Sequence, residues 1–236
     1  MTTYQQDNWE PIPKPAEITE NRLIKAILNG TFAINTTLPS ERDLAESLGV
    51  TRPTLREALQ RLERDGWLEI HQGKPTRVRD YWKEGRLGVL NSLAAHINAL
   101  PGNFVQDLLS VRLAMAPMYA ALSVKHAPKK VSAYLQSKSS LGDSPGKYAH
   151  FDWELHHQLT LLSSNPVFVM ILNSFEDLYL KLATIYFTLP AARQRSLIYY
   201  AELEKAAAVQ DMDLAKKCTE EVMQDSIEFW KQADFR

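Results

Sequence analysis

Arg42, Thr51, Arg52, Thr54 and Arg56 fall within one short stretch of this 236-residue chain. Guanidinium and hydroxyl groups of this kind hydrogen-bond phosphate oxygens and the edges of bases. Leu55, Ala58, Leu59 and Leu62 recur at i, i+3, i+4 and i+7, so one helix would bury them and leave Arg52, Thr54 and Arg56 outward, near its start. A second group, Arg112, Tyr179, Tyr186, Tyr200, Ser226 and Trp230, is spread through the later, helical part of the chain. Such amphipathic side chains can line an apolar slot and offer it a few hydrogen-bond donors, although tyrosines on apolar faces more often simply pack. A third pair, Asp152 and His156, is four residues apart and therefore on one helical face, as metal ligands can be. None of the six histidines (His71, His96, His126, His150, His156, His157) follows residue 157. Two ligands make a poor transition-metal site, so no metal is expected and Asp152 and His156 read as a hydrogen-bonded polar pair.

The first group needs two helices to position it. Ser40, after Pro39, caps a helix over Ser40–Leu48, with Asp43 placed to reach back to the cap. Gly49 ends that helix and permits a tight turn. Thr51 caps the next, and Pro53 falls in its first turn, where its missing N–H costs nothing. Gly66 ends it. Trp67–Ile70 and Thr76–Val78 then read as short strands around the tip Gln72–Gly73–Lys74–Pro75. Helix, turn, helix and basic hairpin together make a winged helix-turn-helix, which binds double-stranded DNA. A helix at about Ala16–Leu28 completes a three-helix core, and residues 1–15, with Pro11, Pro13 and Pro15, read as an extended polar arm.

From Leu87 onward the pattern is helical throughout, with about seven helices and no strand signal, hence an antiparallel bundle. One helix carries Leu90, Leu93, Ala94 and Ile97; further helices are expected at Phe104–His126, kinked by Pro117, and at Lys129–Leu141, Lys147–Leu162, Val167–Phe187, Pro190–Val209 and Asp211–Lys231. Charged Arg79–Arg86 reads as a linker whose Tyr81 and Trp82 anchor one domain against the other. The domains expected are 1–78, a linker 79–86, and 87–236.

The net charge of −1 says nothing about nucleic acid, because the local charge of the contact face is what matters. The single cysteine, Cys218, allows no internal disulfide and reads as a structural thiol. No apolar run is read as a membrane span and the polar start MTTYQQDNWE is not a signal peptide, so a cytoplasmic protein without membrane contact is expected. No phosphate loop, nucleophile elbow or HExxH run is present, so no enzyme is expected and no cofactor.

The run LPSERDLAESLGVTRPTLREALQRLERDGWL resembles the DNA-binding domain of the GntR family of bacterial regulators, and the wing text QGKPTRV is similar to its fatty-acid-responsive branch. The resemblance implies DNA contacts at Arg42, Thr51, Arg52, Thr54, Arg56, Gly73 and Lys74. Pro53 stands where that branch has threonine, and Gln72 where it has a wing histidine, with His71 one place early; both bear on which operator is read. LLSVR, NPVFVMILN, DLYLKL, IYFTLPAAR and SIEFW are similar in order to the branch's acyl-CoA-binding domain, which implies an effector site at Arg112, Tyr179, Tyr186, Tyr200, Ser226 and Trp230. His156 and Met223 stand where the branch has phenylalanine and glycine, and methionine would crowd the slot. The run DWELHHQLTLLSSNP also resembles a metal-binding class of the family. The alternative reading is therefore a metal-dependent regulator sensing a small carboxylate, although the two late histidines of that class are missing. The reading that results is mainly α: a winged helix-turn-helix domain followed by an all-α bundle, in a homodimeric transcriptional regulator that long-chain acyl-CoA releases from its DNA operator.

Overall fold

The computed structural model describes residues 13–233. The arm expected over residues 1–15 lies outside it for residues 1–12; Pro15 already opens a helix. The described residues divide into two compact units that meet at Ala99 and Leu100.

In the first unit, α1 (Pro15–Leu28) buries Leu23, Ile24 and Ile27 and packs on α3 (Arg52–Asp65), whose buried face is Leu55, Ala58, Leu59 and Leu62. Between them, α2 (Glu41–Leu48) packs on α3 through Leu44 and Ala45. The caps do what their residue types dictate. Ser40 Oγ accepts from the Asp43 N–H at 3.3 Å, and Thr51 Oγ1 from the Thr54 N–H at 3.3 Å. Asp43 does not reach back to the backbone of the cap; its carboxylate takes the Ser40 hydroxyl instead, at 2.7 Å. Gly49 and Gly66 close α2 and α3 with φ of 68° and 98°, a region that favours residues without a Cβ.

The wing is β1 (Leu68–Glu69) against β2 (Arg77–Val78), antiparallel, with Leu68 opposite Val78 and Glu69 opposite Arg77. The segment before α2 adds a third extended strip that the sequence does not announce. Leu38 N–H donates to Thr76 O and Val78 N–H to Thr36 O, each at 2.8 Å. Arg77 ties this base together by donating to Glu69, Asn35 and Glu84.

The stretch expected as a linker is folded into the first unit. Tyr81 opens a single turn, α4 (Tyr81–Glu84), and is buried with its ring 4.6 Å from that of Trp67. Arg86 N–H donates to Asp65 O at the end of α3. The helix expected through Ile97 is shorter: α5 (Leu87–Leu93) gives way to a tighter turn over Ala94–Ala99 that breaks at His96 (φ −130°, ψ 36°).

In the second unit, α6 (Phe104–His126) runs unbroken through Pro117 and packs on α8 (Pro145–Leu162) and α12 (Met212–Gln232). By length and mean hydropathy α6 could cross a membrane, which corrects the reading that no run does so. Its apolar character has a use inside the bundle, since Leu109, Ala116, Tyr119, Ala120 and Val124 are buried there. α7 (Pro128–Leu135) and α11 (Pro190–Val209) pack together, and α11 also lies on α12. The single helix expected over Val167–Phe187 is two: α9 (Pro166–Asn173) and α10 (Glu176–Tyr186). Ser174 Oγ bonds back to Ile171 O at 2.6 Å and Phe175 leaves helical geometry (φ −134°, ψ 27°), a local competition that a continuous apolar pattern cannot reveal. Cys218, in α12, is buried.

Candidate functional site

Two sites emerge, one in each unit. In the first unit, Arg42, Thr51, Arg52 and Arg56 are exposed on the α2–α3 pair, and Thr54 is half-buried. The cap that starts α3 also ties Thr51 and Thr54 together, their hydroxyls 2.9 Å apart. Two of the arginines already hold carboxylates of α2: Arg56 Nε donates to Glu41 at 2.7 Å and Arg42 Nε to Asp43 at 3.0 Å. Arg52 has no ion pair among the described residues. Gly73 and Lys74 form the exposed tip of the wing; Gly73 adopts φ 74° and Lys74 N–H donates to His71 O at 3.2 Å. His71, beside the tip, is 3.2 Å from Glu69. This is a surface of hydrogen-bond donors on the start of a helix, flanked by a basic turn: the kind of face that fits a groove.

The second site is a small cavity of about 50 Å³ inside the bundle. Five of the six residues expected there line it: Arg112, Tyr179, Tyr186, Ser226 and Trp230. Tyr200 does not. It stands behind the wall and donates to Asp152 Oδ1 at 2.8 Å. Asp152 is the residue that the sequence undersold. Its other oxygen accepts from Tyr179 at 2.6 Å, and Arg112 Nη2 is 3.7 Å away while itself donating to the Tyr179 oxygen at 2.8 Å. Arg112 also lies over the Tyr179 ring, 4.4 Å from its centre. One half-buried cation, one buried carboxylate and two buried tyrosines thus close a network at one wall of the cavity. Burial by itself disfavours the guanidinium charge, but the tyrosines and Asp152 outweigh it and hold the pKa above its ordinary value. Burial likewise raises the Tyr179 and Tyr200 hydroxyls well above theirs.

Asp152 and His156 are not a hydrogen-bonded pair. They are 4.0 Å apart, and His156 Nδ1 pairs instead with the Tyr119 hydroxyl at 2.7 Å. Burial pushes the pKa of His156 down to about 4, so the imidazole is neutral near pH 7. Among the described residues no three His, Cys, Asp or Glu side chains come together as a metal site would need.

At another wall Tyr186 donates to Ser226 at 3.1 Å, and Ser226 in turn to Val222 O at 2.7 Å. Leu108, Leu109, Leu182, Val222 and Met223 supply apolar surface. Sequence reasoning missed Ser196 and Tyr199 of α11 as lining residues. Tyr199 and Tyr200 are adjacent and so point about 100° apart, and nothing local says which one faces the cavity.

The profile of the gntR family of bacterial regulatory proteins matches residues 15–78, and that of the FadR C-terminal domain matches residues 79–235. The fatty acid metabolism regulator protein of Pasteurella multocida is 36% identical over 227 residues, covering 95% of this chain and 94% of that protein. The protein of the same description from Shewanella amazonensis is 41% identical over 196 residues, covering 82% of this chain and 80% of the relative. Among solved structures, one described as Lar, which controls expression of the Listeria monocytogenes agr system, superposes with a TM-score of 0.69 over 95% of this chain and 100% of its own. At 17% identity that likeness speaks for the fold alone.

Proposed function

The chain belongs to the GntR family and carries the FadR C-terminal domain; from that premise we propose that this DNA-binding regulator of fatty acid metabolism is released from its operator by long-chain acyl-CoA. Arg42, Thr51, Arg52, Thr54 and Arg56 face the major groove, and Gly73 and Lys74 bring the wing to the neighbouring backbone. The regulator acts in the cytoplasm as a homodimer, whose two-fold axis matches a near-palindromic operator.

The observation that carries the effector reading is the bundle cavity, apolar along Leu108, Leu182, Val222 and Met223 and polar at Arg112, Tyr179, Tyr186 and Ser226. An acyl chain needs an apolar slot, and the thioester end needs a few donors. The ligand changes DNA affinity only to the extent that it favours the arrangement that does not bind DNA; a tenfold release needs about 1.4 kcal/mol of such preference. Met223 fills part of the slot and sets how long a chain fits.

The test is a DNA-binding titration on a duplex selected by the protein, with and without acyl-CoAs of rising chain length, paired with calorimetry. Binding that tightens with length and lowers DNA affinity supports the reading. No binding at any length overturns the effector assignment and leaves the DNA-binding regulator with another ligand.

A further inference from the structure

Arg56 does not wait for DNA with its donors free. Its Nε donates to Glu41 Oε2 at 2.7 Å, bridging the recognition helix α3 to the first turn of α2. Both partners face solvent, with side chains 63% and 41% exposed. Glu41 is itself well placed there, because a carboxylate is stabilised at a helix N-terminus. Arg52, four residues earlier on the same helix, takes no carboxylate among the described residues.

We infer that Glu41 is a positioning residue that makes DNA binding more selective by holding Arg56 in one orientation. The inference rests on the reading that the α2–α3 face contacts DNA. A guanidinium on a free stem bonds whichever phosphate oxygen it reaches, and phosphate contacts carry no sequence information. Reading a base edge demands a fixed orientation of the donor pair. With Nε occupied by Glu41, Arg56 keeps the donors of its two terminal amino groups, and the bond to Glu41 fixes the plane in which their end-on pair can meet a base edge. The carboxylate also opposes the approach of any phosphate. Both effects weigh on non-specific duplex more than on the correct sequence, where the geometry has been matched.

The experiment compares the full-length protein with E41A, R56A and the double variant on two duplexes of equal length: one selected from a random pool by the wild-type protein, and one of random sequence. In E41A the affinity for the random duplex rises about two- to fivefold, the scale of one exposed ion pair. Affinity for the selected duplex rises less or falls, so selectivity drops. The slope of log affinity against log salt for the random duplex steepens by up to about one, as Arg56 gains a phosphate. In the R56A background the same change at position 41 leaves selectivity where it was. Selectivity unchanged in E41A overturns the inference while leaving the DNA face in place. A shift that persists without Arg56 also overturns it, because Glu41 then acts through bare charge. If R56A binds both duplexes like the wild type, the face itself is misassigned and the inference falls with it.

Discussion

Asp152→Ala is the perturbation that tests the bundle network most directly. The Asp152 carboxylate accepts two tyrosine hydroxyls and sits 3.7 Å from the Arg112 guanidinium. The Arg112 side chain is 13% exposed and that of Asp152 10%, so solvent does little to screen the pair. Removing one partner of a buried ion pair leaves an uncompensated charge and costs about 3–5 kcal/mol. Tyr200 also loses its acceptor, at about 1–3 kcal/mol for a buried orphan hydroxyl, whereas the Tyr179 oxygen keeps its bond from Arg112. These groups form one network, so the two costs do not simply add, and the expected loss is about 3–5 kcal/mol in all. That is a large share of the 5–15 kcal/mol typical of a whole domain. Asp152→Asn keeps an acceptor of the same shape and should fall between the two. The assay is urea unfolding followed by tryptophan fluorescence, to which Trp153 contributes from 5.0 Å beside the Tyr179 ring. A loss below about 1 kcal/mol, the scale of an exposed pair, would refute the argument that Arg112 depends on Asp152.

A Cβ on Gly85 would stand 2.2 Å from Tyr81 O, whereas one on Gly102 meets nothing within 4 Å. Gly85→Ala should therefore destabilise the chain by about 1–3 kcal/mol and Gly102→Ala hardly at all, as read from melting temperatures. His156 has a folded pKa of about 4 against an ordinary 6.5, so the unfolded chain binds the extra proton first as pH falls. Its contribution is complete above pH 6.5 and is lost progressively between 6.5 and 4, by up to about 3 kcal/mol. His156→Phe should flatten the stability profile in that window, and a profile parallel to the wild type's would count against the buried neutral imidazole. Met223→Ala should cost the free protein about 2–5 kcal/mol and shift calorimetric preference towards longer acyl-CoAs; an unchanged order of chain lengths would show that Met223 does not bound the slot.

The DNA-binding half is legible because its punctuation is local. Ser40, Gly49, Thr51, Pro53 and Gly66 each fix a helix end through their own backbone or side chain, so α2 and α3 start and stop within a residue of where the sequence puts them. The third strip of the wing is not legible. Its bonds run from residues 35–38 to residues 76–78, and nothing in INTTL marks a partner so far along the chain. In the bundle, helix positions follow from proline and glycine breaks, but the Ser174–Phe175 break has neither residue and stays hidden inside an apolar run. The cavity is half legible. Amphipathic residues can be singled out, yet whether Asp152 meets His156, four residues away, or Tyr200 on another helix depends on how α8 and α11 are rotated. Periodicity on one helix does not contain that angle.

Cys218 offers the experimenter a chemical blank. The chain has one cysteine; it is buried, and burial raises its thiol pKa to about 11. Thiol reagents act on the thiolate, so near neutral pH they find almost nothing to react with in the native fold. A single surface substitution such as Gln72→Cys, at the exposed tip of the wing, would then take a fluorophore at one defined position. The intact protein could report its own arrival on DNA, and its departure when an effector is added, without first being stripped of its native thiol.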